Sequence, residues 1–144
     1  MFEDLETIAE GVRRRVAATG LFRKAVYASL TNAGQLDRLL EVLSALPAAV
    51  VCIGEVEYGD RGCSRTIRPL VIVAERFRGS ELGPGIWETV QKVAVLFEPE
   101  FPSGEPPAFP EAGGIAWRIL SIAPLESREE IAGCVLTLEG TECL

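Results

Sequence analysis

The stretch AAVVCIGEVEYGDRGCSRTIRPLVIVAERF, residues 48–77, decides the fold. Its first part, AAVVCIGEVEY, is a nearly continuous apolar run that turns polar at Glu55 and Glu57. The turn-rich YGDRGCS follows, and RTIRPLVIVAERF then repeats the apolar pattern. Two such runs around a turn predict a long antiparallel hairpin with a loop of several residues. Proline cannot donate to a ladder, so Pro69 predicts a break or bulge there. Residues two apart on a strand share a face, which makes Glu55 and Glu57 a solvated edge near a tip that contains Asp60.

Outward from the hairpin, the upstream segment FEDLETIAEGVRRRVAATG places Leu5, Ile8, Val12 and Val16 on one stripe, with acids in the opening turn and Gly20 as a stop signal. It reads as an amphipathic helix. Arg13, Arg14 and Arg15 point about 100° apart on such a helix and cannot form one patch. KAVYASL is short, with β-branched and aromatic content, and reads as a strand. QLDRLLEVLSAL carries Leu36, Leu39, Leu40 and Leu43 at helical spacing, with Pro47 just past its end, and reads as a second helix.

Downstream, GPGIWETVQKVAVLFEPE puts Ile86, Val90, Val93 and Phe97 on one face of a third helix that Pro99 closes. FEPEFPSGEPPAFPEAGG, residues 97–114, reads as neither helix nor strand, with five prolines from Pro99 to Pro110. GIAWRILSIAPL then alternates Ile115, Trp117, Ile119 and Ser121 against Ala116, Arg118, Leu120 and Ile122. REEIAGCVLTLEGTECL alternates Val135 and Thr137 against Cys134, Leu136 and Leu138. Both read as strands, joined around Pro124 to Arg128. Trp87 is expected to pack the third helix onto the sheet, and Trp117 to sit in it.

The last two strands follow one another too closely for a helical crossover. The predicted class is therefore α+β: a mostly antiparallel sheet with about three helices packed chiefly on one face. The 144 residues suit one domain, 1–144, with an extended Pro/Gly/Glu-rich loop at 98–114. The composition, 48% hydrophobic and 24% charged, is that of a chain that folds on its own.

A net charge of -7 argues against nucleic-acid binding through a basic face. No apolar run approaches the roughly 18 residues needed to span a bilayer. MFEDLETIAE opens with acids rather than a basic, then apolar, signal, so the expected location is the cytoplasm. There Cys52, Cys63, Cys134 and Cys143 would be thiols, the first and third in strand cores, Cys63 in the hairpin loop and Cys143 in a frayed tail.

Catalytic chemistry finds little to work with. The chain has no histidine, which removes Ser-His-Asp and Cys-His arrangements and the commonest transition-metal ligand. The cysteines never stand two to four residues apart, so no zinc site is expected. Neither Lys24 nor Lys92 stands in S-x-x-K. Gly83, Pro84 and Gly85 form a G-x-G without the rest of the phosphate-binding fingerprint. The expectation is no enzyme, no cofactor and no metal.

The order and spacing of the amphipathic N-terminal helix, LPAAVVCIGEVEYGDRG, RTIRPLVIVAERF, the helix with Trp87 and Phe97, and WRILSIAPLESREEIAGCVLTLEGTE span nearly the whole chain. In layout the chain resembles the small tail proteins of Mu-like prophages and the broader tail-terminator or tail-completion class of long-tailed phages. The resemblance implies a subunit without catalytic residues that assembles into a ring, often a hexamer, joining the tail tube to the head connector. The location implied is the bacterial host's cytoplasm, then the virion tail. DNA would be passing cargo, with no membrane partner.

In that setting a loop stiffened by prolines has less entropy to lose on docking to a neighbour. A lumen lined by carboxylates would repel passing phosphates. Candidate interface or lumen residues are Glu55, Glu57, Asp60, Phe101, Glu105 and Phe109. The alternative is a small-ligand binding or regulatory domain, with a pocket between the sheet and the third helix lined by Glu55, Arg68 or Trp117.

Overall fold

The computed structural model describes residues 2–28, 44–76, 85–99, 104, 107–109, 113–128 and 131–144. Helix α1 (Leu5–Ala17) begins where the Asp4 carboxylate accepts from the backbone N–H groups of Glu6, at 2.8 Å, and Thr7, at 3.4 Å. Ile8, Ala9, Val12 and Val16 form its buried face, and beyond its end Gly20 takes φ 71°.

The main sheet has five strands: β1 (Lys24–Tyr27), β2 (Ala48–Gly59), β3 (Ser64–Arg76), β6 (Arg118–Arg128) and β7 (Ile131–Cys143). Their order across the sheet is β1-β2-β3-β7-β6. The α+β class holds, but the sheet is mixed: β1 runs parallel to β2, while the other three pairings are antiparallel. The short strands β4 (Ala108–Phe109) and β5 (Ile115–Ala116) pair antiparallel in a separate two-stranded sheet. Part of the proline-rich stretch expected to lack secondary structure is therefore a strand, tied down further by the Trp117 N–H donating to Pro107 O at 3.0 Å.

Helix α2 (Gly85–Ala94), the third of the helices expected from the sequence, continues into a 3-10 turn over Val95–Phe97. The described residues thus hold two α-helices; the helix expected from Gln35 onward falls largely outside them. Both described helices cover one face of the sheet. There Ile8, Val12 and Val16 of α1 and Val90, Val93 and Phe97 of the α2 segment pack on Val51, Val71, Val73, Leu136 and Leu138. A smaller cluster of Ala28, Ala48 and Val50, with Val26, Leu46 and Ile72, lies on the opposite face.

Four local expectations need correction. Trp87, expected to glue α2 to the sheet, is 52% exposed, because the buried stripe of α2 runs through Val90, Val93 and Ala94 instead. Pro124 does not end a strand but lies within β6, where an outermost strand tolerates its missing donor. Cys143 is not frayed: it pairs with Ser64 in the β3–β7 ladder. Finally, a register shift between Ile119 and Ser121 puts Leu120 out of phase, so Ile122 joins Ile119 on the helix-covered face.

Trp117 is fully buried, and Gly140 of β7 is what admits it. A Cβ at Gly140 would lie 2.6 Å from Trp117 Cε3 and 2.6 Å from Ile115 Cγ2.

Candidate interaction surface

The hairpin β2–β3 carries a bulge where Pro69 predicts one. Its register shifts between Ile53 and Glu55, leaving Gly54 unpaired opposite the Arg68–Pro69 step. A side chain has no room there, since a Cβ on Gly54 would lie 2.9 Å from Leu70 Cγ and 3.0 Å from Arg68 O. The extra residue reverses the phase of β2. Ala49, Val51 and Ile53 belong to the core under the helices, and beyond the bulge Val56 takes over that role. Glu55 and Glu57 are thereby turned to the other face.

On that face they meet Arg68. Its Nη1 donates to Glu55 Oε2 and to Glu57 Oε2, each at 3.0 Å, and its Nε donates to Glu139 Oε2 of β7 at 3.0 Å. Arg118 of β6 completes the row, donating from Nε to Glu139 Oε1 at 3.0 Å and also from Nη2. Glu55, Arg68, Glu139 and Arg118 thus form one line of alternating charge across β2, β3, β7 and β6. The row ends are open, with the Glu55 and Arg118 side chains each 62% exposed against 23% for Arg68 and 14% for Glu139.

These contacts shift protonation in the direction that strengthens them. Arg68 is held even more firmly protonated than an ordinary guanidinium, by the hydrogen bond to Glu57 foremost and then by that to Glu139. Glu139 lies below the usual carboxylate range, chiefly through the hydrogen bond from Arg118 and then that from Arg68.

At the tip, Asp60 and Arg61 both adopt positive φ, 46° and 57°, followed by Gly62 at 87°. The Cys63 N–H closes the turn onto Asp60 O at 3.1 Å. Asp60 is exposed and its carboxylate stands 3.4 Å from Ser64 Oγ. It belongs to the turn, not to the row that Glu55 and Glu57 enter.

Beside the tip, a second polar group faces the helices. Arg65, 5% exposed, donates from Nε to Glu142 Oε1 at 2.8 Å and from Nη2 to Glu3 O, while the Glu3 N–H donates to Glu142 Oε2 at 3.1 Å. The Phe2 ring lies 4.8 Å from the Arg65 guanidinium carbon and packs edge-on against Tyr58 at 6.0 Å between centroids. This clamp fastens the start of the chain to the hairpin and to the last strand.

Of the six residues expected at an interface or lumen, Glu55 and Glu57 come together in the charged row and Asp60 sits apart in the turn. Phe101 and Glu105 lie outside the described residues; Phe109 has its backbone in β4, and its side chain also lies outside them. Sequence reading missed Arg65, Arg118, Glu139 and Glu142. The polar positions Thr137, Glu139 and Thr141, spaced two apart in TLEGTE, were a sign of Glu139 alone.

The pocket imagined between the sheet and the third helix does not gather its proposed lining. Glu55 and Arg68 face away from α2, whereas Trp117 is buried in the core beneath the helices. A shallow depression along α1 is lined by Asp4, Glu6, Thr7, Glu10, Gly11 and Arg14. Its best-placed carboxylates are already engaged, Asp4 by the helix start and Glu10 by Arg13 at 2.8 Å.

Among the described residues no three or more cysteine or carboxylate groups are placed to hold a metal ion, and no helix is long and apolar enough to cross a membrane. No protein-family model matches the chain, and no curated protein matches it either.

Proposed function

We propose that this protein is a structural subunit of a phage-type tail, of the tail-terminator or tail-completion class. In this reading it associates with copies of itself into a ring and joins the tail tube to the head connector. The observation that carries the reading is the hairpin surface: carboxylates and guanidinium groups lock one another across four strands. That arrangement suits a rigid contact surface better than a reactive centre. Layout, acidity and the lack of histidine support the same reading.

In such a ring the hairpin end, with Glu55, Glu57 and Asp60, and the acidic segment 98–114 are the surfaces offered to neighbours and to passing DNA. The segment 98–114, with four glutamates and no lysine or arginine, would keep phosphates from adhering.

The test is assembly. Purified protein at high concentration, alone and with tail-tube and connector proteins, is examined by light scattering and negative-stain electron microscopy. Closed rings with a central opening are the expected result. A chain that stays monomeric and ignores both partners overturns the proposal.

A further inference from the structure

Two of the four cysteines, Cys63 and Cys143, are exposed, and the fold makes them neighbours. Cys143 lies opposite Ser64 in the β3–β7 ladder, and Cys63 is the residue before Ser64. One residue beyond that pair, the Leu144 N–H donates to Cys63 O at 2.9 Å. Ser64 and Cys143 are therefore a non-hydrogen-bonded pair, the closer of the two kinds in an antiparallel ladder. Such a pair has Cα atoms about 4.5 Å apart, and one residue along the strand adds about 3.4 Å. Cys63 and Cys143 are thus set roughly 6 Å apart between Cα atoms, within the range of about 4.4–6.8 Å that disulfides span.

The backbone also decides the side on which each thiol stands. In a regular strand Cys63 and Ser64 would point to opposite faces. Cys63 instead closes the hairpin turn with φ -83° and ψ -9°, helical rather than extended. That ψ carries its Cβ across the following peptide plane, to the face that Ser64 and Cys143 share.

Neighbouring contacts hold the two strands in this alignment. The Cys63 N–H donates to Asp60 O at 3.1 Å, which fixes the turn. One position further along the ladder, Arg65 pairs with Glu142 at 2.8 Å, and beyond it the Thr66 and Thr141 hydroxyls stand 3.3 Å apart.

From this arrangement we propose that Cys63 and Cys143 form a dithiol site that exchanges with small-molecule disulfides of the glutathione class and closes a bridge between the hairpin turn and β7. One of the two thiolates attacks a sulfur of oxidised glutathione and expels one glutathione thiolate, leaving a mixed disulfide. The second thiolate then attacks the protein sulfur of that intermediate and expels the other glutathione. The protein dithiol is oxidised by two electrons, one oxidised glutathione becomes two reduced molecules, and both protein protons pass to the departing thiolates. Cys52 and Cys134 are buried and take no part. A reducing medium keeps the site open and an oxidising one closes it. The inference does not depend on the proposed assembly.

The full chain, in native buffer with oxidised glutathione, tests it by acid quenching, intact mass and non-reducing peptide mapping. The expected product is a single chain lighter by two hydrogen atoms, with the Cys63 and Cys143 peptides linked. Cys63→Ser and Cys143→Ser each lack the second thiol, so each should stop with one glutathione on the remaining exposed cysteine. The closed wild-type protein should melt several degrees above the reduced one, because the link spans a long loop, and a reductant should erase the difference.

Circular dichroism checks that the serine variants fold; if one does not, the wild-type linkage decides alone. Wild-type protein that keeps glutathione on both exposed cysteines, a link between two chains, a link to Cys52 or Cys134, or a closed form that melts below the reduced one overturns the proposal.

Discussion

Trp117 rests on Gly140: a Cβ on the glycine would lie 2.6 Å from the indole Cε3, and the indole is fully buried. β7 thus lacks a side chain at the one place where the largest core residue crosses it. Gly140→Ala should cost about 1–3 kcal/mol of stability through overpacking. Chemical denaturation should show a lower midpoint with an unchanged slope.

The Arg65–Glu142 pair is nearly buried, with side chains 6% and 14% exposed. Removing one partner strands the other, so Arg65→Met should destabilise by about 3 kcal/mol. It should also free the Phe2–Glu3 segment for proteolysis. The double variant Arg65→Met, Glu142→Leu should recover part of the loss, because no charge is left behind. A double-mutant cycle measures the coupling.

Glu139 titrates below its unfolded value because Arg118 and Arg68 hydrogen-bond the carboxylate. Glu10 does so because of Arg13. A depressed folded value means that the unfolded chain binds protons first as pH falls. The stabilisation is therefore full above the ordinary carboxylate range and is lost as pH drops through the folded values. Thermal midpoints should be level near neutrality and fall below about pH 4.5. Glu139→Gln should flatten part of that slope.

Burial raises the Cys52 thiol, and burial with the nearby Glu75 charge raises that of Cys134, while Cys63 and Cys143 are exposed. A thiol-reactive probe should label two cysteines quickly in the native protein. The other two should react only on unfolding, as mass spectrometry of labelled peptides would show.

The two amphipathic helices, the hairpin with its interruption at Pro69 and the alternation of the last strands were legible from the sequence. Each is written in the spacing of neighbouring residues, which fixes how a short segment divides its apolar and polar sides. The lack of histidine likewise narrowed the chemistry without any coordinates. The parallel β1–β2 pair, by contrast, departs from the mostly antiparallel sheet expected from the sequence.

Tertiary structure alone decided which way those sides face. One unpaired residue at Gly54 turns Glu55 and Glu57 from the core side to the open side, and the shift at Leu120 does the same to β6. Arg68 meets Glu139 across 71 positions of sequence, and Arg65 meets Glu142 across 77. Such pairs depend on the register between distant strands, which local periodicity does not encode. The charged row therefore came into view only once the strands were aligned.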